Sequence, residues 1–234
     1  LSREARRGSE PNPVPPSRVT FATPAEFPTS VRIAKRAVDV VGATVALLLL
    51  SPVMFAVWAA VRLTSRGPGF YHQERVLTVE NGVEKTFFMH KFRTMVVDAE
   101  ARTGPVWAGA RDPRITSIGR FLRKSRLDEL PQFWNVLKGE MSIVGPRPER
   151  PHFTAQLQDR IPVYYDRVAS LKPGITGWAQ VRCPYDTSLD SVKMKLLYDL
   201  AYAAHCYRLS SYLRMELKVM LLTVVVIFTG KGAQ

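Results

Sequence analysis

The residues best suited to chemistry lie in one run, SRLDELPQFWNVLKG, where Asp128 and Glu129 are adjacent. Ser125-x-x-Asp128 has the form of a capping box, Pro131 is tolerable in a first turn, and Gly139 marks a stop. The run therefore predicts a helix that begins at the two carboxylates. A helix start presents unpaired N–H donors and the positive end of a dipole, which seats phosphate and holds a carboxylate ionised at a lowered pKa. An ionised Asp128 can attack phosphorus as a covalent nucleophile, while Glu129 holds Mg²⁺ against phosphate oxygens. Cations stand ready elsewhere in the chain: Lys91 and Arg93 in KFRTM, then Arg123, Arg126, Arg147 and Arg150. Forked guanidiniums bind phosphate oxygens in pairs, and phosphoryl transfer is catalysed largely by positioning and charge stabilisation. The same residues also have a plain structural reading. First-turn acids often only cap helices, and bases beside a membrane segment often only meet lipid head groups.

Composition narrows the classes. The 33 Lys and Arg residues outnumber 20 Asp and Glu, a formal charge of +13 that implies a polyanionic partner. Nucleic acid is set aside, because no recognisable nucleic-acid module is present and a membrane segment is. An anionic membrane surface or a phosphorylated substrate remains. Two cysteines, Cys183 and Cys206, exclude a disulfide framework. The four histidines (His72, His90, His152, His205) have no zinc-ligand spacing. No nucleophile elbow, Walker loop or dinucleotide fingerprint occurs, so serine hydrolases, P-loop enzymes and Rossmann cofactors lose support.

Three parts of the chain must position these residues. Residues 1–30 carry six prolines and no apolar period, and read as an extended or disordered linker. Residues 31–66 hold the apolar run Ala37–Val61, which matches the roughly 20 residues of a bilayer span. Arg32, Lys35 and Arg36 precede it and Arg62, Arg66 and Arg75 follow it. The positive-inside rule places both flanks on one side. Pro52 splits the run into limbs of roughly 21 and 14 Å, each too short for a hydrocarbon core of about 30 Å. The favoured reading is a re-entrant helical hairpin broken at Ser51–Pro52, with Ser51 satisfying a backbone group freed by the bend. A kinked full span and a buried helix pair are the alternatives.

Residues 67–234 read as a catalytic domain. FYHQERVLTV and VEKTFFMHKF flank Asn81-Gly82 and predict a small β-hairpin. Residues 98–114 read as a surface loop, and Ile115, Ile118, Phe121 and Leu122 then recur at helical spacing. GPRPERP reads as a stiff loop, residues 153–170 as a short amphipathic piece, and KPGITGWAQV as glycine turns leading into a strand. Val192–Phe228 reads as mostly helical, with Leu213, Leu217 and Leu221 recurring among Arg208, Arg214 and Lys218. Such a helix lies in a membrane interface, or else packs on a core with its basic face in water. The expected class is α+β: a membrane-embedded re-entrant hairpin, a small β-hairpin, and a helical catalytic domain with interfacial amphipathic helices.

Six stretches occur in an order that carries a family resemblance: KRAVDVVGATVALLLLSP, KFRTM with DAE, RITSIGRFLRKSRLDELPQFWNVLKGEMSIVGPRPE, LKPGITGWAQV, YDLAY and a terminal TGKGA. Over residues 31–234 the chain resembles the bacterial sugar transferase family, the monotopic polyprenyl-phosphate phosphoglycosyl transferases. The resemblance implies transfer of a sugar-1-phosphate from a UDP-sugar to undecaprenyl phosphate. Its products are polyprenyl-diphosphate-sugar and UMP, at the start of exopolysaccharide or related glycan synthesis. It also implies that Asp128 is the nucleophile of a phosphosugar-enzyme intermediate and Glu129 the Mg²⁺-associated carboxylate. Lys91, Arg123 and Arg147 fall on its phosphate- and substrate-contact positions, with Arg93 and Arg150 beside them. Ser51–Pro52 matches the family's helix break. Location at the bacterial inner membrane follows, with the catalytic domain on the cytoplasmic face and lipid as a partner. Exposed apolar faces are compatible with a homodimer. Leu1 is not an initiating methionine, so a membrane or regulatory region is expected upstream. Two other classes fit the residues: a nucleotide-sugar pyrophosphatase with water as acceptor, and a non-catalytic membrane-binding module.

Overall fold

The computed structural model describes residues 26–80, 83–101, 104, 106, 112–183 and 188–229. Residues 1–25 of the linker expected over 1–30, the Asn81-Gly82 turn and much of the 98–114 loop lie outside these residues; of the rest of that linker, Phe27 packs into a core cluster and Thr29 and Ser30 open the first helix.

The apolar run forms part of one 36-residue helix, α1 (Thr29–Thr64). By length and composition it is suited to lie in or cross a membrane. The limbs expected on either side of Ser51–Pro52 belong to this one helix; they are not separate helices joined by a turn. Pro52 offers no N–H to the Leu48 carbonyl, and the Ser51 hydroxyl donates to that carbonyl instead, at 2.9 Å. The helix ladder is repaired where proline breaks it.

The polar residues of α1 hold it to the rest of the protein. Lys35 Nζ donates to the Val144 carbonyl at 2.8 Å and to Tyr202 Oη at 2.9 Å. Arg36 donates to the carbonyls of Val136 and Leu137, both at 2.7 Å. Buried Asp39 accepts from Ser142 Oγ and the Ile143 N–H, both at 2.8 Å. A carboxylate inside an apolar helix is costly unless paired in this way. Three core clusters draw on α1 in turn: Val31 near its start, Ala43, then Val57 and Val61 near its end. Between them Val45, Leu48, Leu49, Val53 and Phe55 are exposed.

Strands β1 (Phe70–Glu80) and β2 (Val83–Phe92) form the expected antiparallel hairpin. Near the turn Glu80 pairs with Val83, but a bulge between Val76 and Thr78 shifts the register. Beyond it Tyr71 opposes Lys91 and His72 opposes His90. Directly opposed residues share a sheet face. Phe87 and Met89 on the face of Lys91 are buried, which turns that face inward.

Helix α2 (Ser117–Ser125) leads through a 3-10 turn, Leu127–Glu129, into α3 (Gln132–Lys138) and strand β3 (Ser142–Val144). Helices α4 (Pro151–Arg160) and α5 (Asp166–Ala169) precede strand β4 (Gly174–Thr176), which pairs in parallel with β3. The strand expected after the glycines of KPGITGWAQV lies between them, and Trp178–Arg182 is a short helix, α6. The helical C-terminal region is two helices, α7 (Leu189–His205) and α8 (Leu209–Thr229). On α8, Tyr212, Met215, Glu216 and Val219 are buried while Leu213, Leu217 and Leu221 are exposed. The observed class is α+β, with two small sheets.

Backbone contact, not side chains, joins the two glycine-containing motifs. Gly145 N–H donates to the Thr176 carbonyl at 2.9 Å, and Gly174 N–H to the Pro146 carbonyl at 2.8 Å. A Cβ on Gly145 would collide with the Lys172 carbonyl and meet Gly174 N at 2.9 Å. We expect Gly145→Ala to destabilise the fold by about 1–3 kcal/mol, several degrees of Tm, by overpacking backbone against backbone. Thermal denaturation followed by circular dichroism checks this, and an unchanged Tm would show that the motifs can separate freely.

Candidate functional site

The acidic pair sits in a 3-10 turn ahead of α3, not at the start of an α-helix capped by Ser125. Ser125 belongs to the last turn of α2, where its hydroxyl donates to the carbonyls of Phe121 at 2.8 Å and Leu122 at 3.2 Å. It is therefore unavailable as a cap, and the expected capping box is absent. Arg126 then adopts a left-handed conformation, φ 57°, which is uncommon for a residue with a side chain. That single residue ends α2 and turns the chain into the 3-10 turn carrying Asp128 and Glu129. Both acids are buried, at 8% exposure each.

Burial replaces the helix dipole as the dominant influence. Removal from water raises the Asp128 pKa to about 6; the Lys91 charge opposes the rise and the Glu129 charge adds to it. The sequence-based expectation of a lowered Asp128 pKa is thus reversed. Burial would raise Glu129 as well, but the charges of Lys91, Arg147 and Arg126 outweigh it and hold this carboxyl far below the usual carboxylate range. The difference has a geometric origin. Lys91 Nζ donates to Glu129 Oε1 at 3.1 Å, and Arg147 reaches the same oxygen at 3.4 Å. Asp128 accepts no hydrogen bond and forms no ion pair among the described residues. Burial lowers the Lys91 pKa, and Glu129 partly restores it.

Among the candidates from sequence, Lys91, Arg147 and Arg123 are brought to the pair, Arg123 acting on Asp128 through its charge. Arg93 is not. Its guanidinium donates to the Arg66 carbonyl, to the Ser65 carbonyl at 2.9 Å and to Ser65 Oγ at 2.7 Å, closing the C-terminal end of α1. Arg150 is taken up by Glu100 in a two-pronged pair at 2.7 and 2.8 Å. Neither arginine contacts the acidic pair. Two residues outside the expected set matter here. Arg75, read from sequence only as a flanking charge, is half-buried at the edge of the site. It donates to the Pro148 carbonyl at 3.0 Å, and burial lowers its pKa to about 10 against the attraction of Glu149. Asn135 is fully buried and accepts from the His90 N–H at 3.0 Å while donating to the Phe88 carbonyl at 2.8 Å. It fixes α3 to the strand that carries Lys91. An asparagine in a helix facing an open strand edge is the only signal the sequence offers for it.

A divalent cation has limited protein ligation here. Among the described residues no group of three His, Cys, Asp or Glu side chains could hold a metal. Mg²⁺ is commonly bound through one or two carboxylates plus substrate phosphates. Glu129 fits that mode as the one carboxylate here that Lys91 and Arg147 hold in place, both through its Oε1.

The raised Asp128 pKa carries a stability consequence. An acid that binds its proton more tightly when folded stabilises the fold fully below its unfolded pKa of about 3.9 and loses that contribution as pH rises through its folded value. Asp128→Asn removes the buried charge. We expect the variant to be more stable than the parent above about pH 6, by on the order of 1–3 kcal/mol, with the advantage shrinking toward pH 4. Melting curves of both proteins across that range measure it, and a less stable variant at pH 8 would contradict an uncompensated buried carboxylate.

Comparison with known proteins places the chain in a family. Residues 30–230 match the family model described as bacterial sugar transferase. The chain is 38% identical over 200 residues to a UDP-N-acetylgalactosamine-undecaprenyl-phosphate N-acetylgalactosaminephosphotransferase of Aeromonas hydrophila, covering 86% of this chain and 45% of the relative. It is 41% identical over 206 residues to a UDP-glucose:undecaprenyl-phosphate glucose-1-phosphate transferase of Escherichia coli, covering 86% and 42%. An exopolysaccharide production protein of Rhizobium meliloti is 40% identical over 170 residues, 67% of this chain and 72% of the relative. The chain thus spans less than half the length of the first two relatives and most of the third. With the match running from the first turn of α1 to the end of α8, around the buried Asp128–Glu129 pair, the chain belongs to the bacterial sugar transferase family.

Proposed function

We propose that this protein transfers a sugar-1-phosphate from a UDP-sugar to undecaprenyl phosphate, releasing UMP, through a covalent intermediate on Asp128. The carrying observation is the asymmetry of the acidic pair: Glu129 is neutralised by Lys91 and Arg147, while Asp128 is buried with no ion-pair partner among the described residues. An ionised oxygen without hydrogen bonds in a dry site is a strong nucleophile. In the first step an Asp128 carboxylate oxygen bonds to the sugar-bearing phosphorus, and the bond from that phosphorus to the bridging oxygen breaks. UMP leaves with the electron pair. In the second step an oxygen of undecaprenyl phosphate attacks the same phosphorus, the acyl-phosphate bond breaks, and Asp128 is regenerated. Lys91, Arg147 and Arg123 bring positive charge to the oxygens that gain it. Mg²⁺, held through Glu129 and the diphosphate, would supply further neutralisation of that charge. The intermediate separates nucleotide departure from lipid arrival, so the two bulky substrates need not share the pocket. The relatives' names include different sugars, and no donor sugar is assigned.

The membrane reading belongs with this function, since a polyprenyl phosphate is reached only at a bilayer surface. Both ends of α1 pack into the same protein body, Val31 in one core cluster and Val57 and Val61 in another. This supports a segment that enters and leaves by one face, with the exposed apolar residues from Val45 to Phe55 in lipid. The exposed Leu213, Leu217 and Leu221 of α8 support an interfacial position for that helix. A nucleotide-sugar donor made in the cytoplasm supports a catalytic part on the cytoplasmic face of the inner membrane.

Two experiments test the proposal. UMP release by detergent-purified protein, with Mg²⁺ and a panel of UDP-sugars, should require undecaprenyl phosphate for sustained turnover. It should fall at least about a thousandfold in Asp128→Asn, the scale of losing an essential nucleophile. Sustained release without lipid would mark a pyrophosphatase instead, and full activity in the variant would leave a binding module. For topology, Ser30→Cys and Pro68→Cys, made without Cys183 and Cys206, should both label from the cytoplasmic side only. Labelling from opposite sides would establish a full span.

A further inference from the structure

The outer edge of β1 carries an unused recognition surface beside the acidic pair. Backbone groups in an antiparallel pair point alternately toward and away from the partner strand. Gly69 faces β2, since its carbonyl accepts from the Arg93 N–H at 3.0 Å. Val76 faces away, since its N–H donates to the Glu149 carbonyl at 2.9 Å. The alternation between these two fixed points turns the N–H and C=O of His72 and Glu74 away from β2. The other strand obeys the same parity, for Asn135 covers the outward His90 N–H and Phe88 carbonyl. Nothing covers His72 and Glu74 in this way among the described residues. Their edge opens into a groove of about 240 Å³ between residues 71–74 and residues 150–152 at the start of α4.

Three features say what fits there. Tyr71 lines the groove, is 43% exposed, and opposes Lys91 on the sheet face that reaches Glu129 at 3.1 Å. The groove therefore begins next to the phosphate-handling cations. Its volume is of the size of a nucleoside. Its lining combines a ring for stacking with paired main-chain donors and acceptors, the combination that reads a base by its edge. An extended residue presents its N–H and C=O side by side, the complement of a uracil imide, whose N3–H donates while the adjacent carbonyl accepts.

We propose that this groove binds the nucleoside end of the donor, with Tyr71 stacking on uracil and the open edge at His72 and Glu74 pairing with its imide. The proposal rests on the UDP-sugar reading above and adds to it where the base is recognised. Isothermal titration of UMP into the detergent-solubilised full chain measures the affinity, with inorganic pyrophosphate as a phosphate-only control. Tyr71→Ala should weaken UMP by at least about tenfold, the scale of one lost base–aromatic stack. It should raise KM for the UDP-sugar comparably, with kcat within about twofold and pyrophosphate binding unchanged, the signature of lost uniform binding. Tyr71→Phe should restore most of the loss. On the parent protein, N3-methyl-UMP should bind at least about tenfold more weakly than UMP, because the imide donor is gone. That comparison stands even where Tyr71→Ala fails to fold. Equal binding of UMP and its N3-methyl form, or a folded Tyr71→Ala with parental affinity and KM, would overturn the groove and leave the transferase intact. A change in oligomeric mass at parental UMP affinity would make the edge a pairing site for a second chain and likewise overturn it. A parent protein that neither binds UMP nor releases it from any UDP-sugar would remove the functional reading itself.

Discussion

Two carboxylates adjacent in sequence and both withdrawn from water repel each other and lose hydration together, so the fold must bring cations to them or protonate one. Here the cations come from different parts of the chain. Lys91 arrives from the end of β2 and Arg147 from the loop after β3, and both settle on the same Glu129 oxygen. One acid is thereby neutralised by pairing, and the other is left with a pKa near 6. A single symmetric bridge would have silenced both. The unequal sharing leaves one carboxylate without an ion-pair partner among the described residues, while the other anchors positive charge beside it.

The anchoring is done largely by backbone. The loop that carries Arg147 is stitched to β4 by the Gly145 and Gly174 N–H bonds, and to β1 through the Glu149 carbonyl and the Pro148 carbonyl accepting from Arg75. Lys91 is held by the buried Asn135, which ties its strand to α3. Farther out, Arg167 and Asp199 form a buried pair at 2.7 Å between α5 and α7. Tyr164 Oη takes a second hydrogen bond from that arginine at 2.7 Å. A buried pair of this kind needs every lone pair satisfied before it ceases to cost stability. Its location suggests that it fixes the register between the peripheral helices and the hairpin.

Much of this was legible in the residues. The Asn-Gly hairpin, the helical periods of α2, α7 and α8, the apolar run and the acidic pair could all be read from type and spacing. What could not be read has specific causes. The pairing of Glu80 with Val83 sets a register that would oppose Lys91 to His72; the bulge at Leu77 shifts it by one, so that Lys91 opposes Tyr71. Sequence carries no strong sign of that extra residue. Ser125 looks like a cap because its spacing to Asp128 is right, yet its hydroxyl is already committed to the preceding turn. Arg93 sits in the same short motif as Lys91 and shares its strand parity, but it lies beyond the last residue of β2, where its guanidinium is taken up by Ser65 at the end of α1. Arg75 was hidden by the opposite error. Its charge suggested a membrane flank, whereas its place on the inward strand face leads to the site.

The remaining link runs from the apolar helix to the chemistry. Val57 and Val61 of α1 pack with Phe92 and Leu122, and Leu127 and Leu130 lie against the same cluster. Phe92 follows Lys91 in sequence, and Leu127 precedes Asp128, so one apolar cluster supports both the nucleophile and the cation that tempers it. If α1 lies in the membrane as proposed, its depth fixes the height of Asp128 above the lipid, with no flexible linker between them. An acceptor whose phosphate is confined to the head-group layer then meets a nucleophile held at a matching height. Tight packing transmits displacement instead of absorbing it, and a rigid connection of this kind reduces the search for the lipid phosphate to motion in the membrane plane.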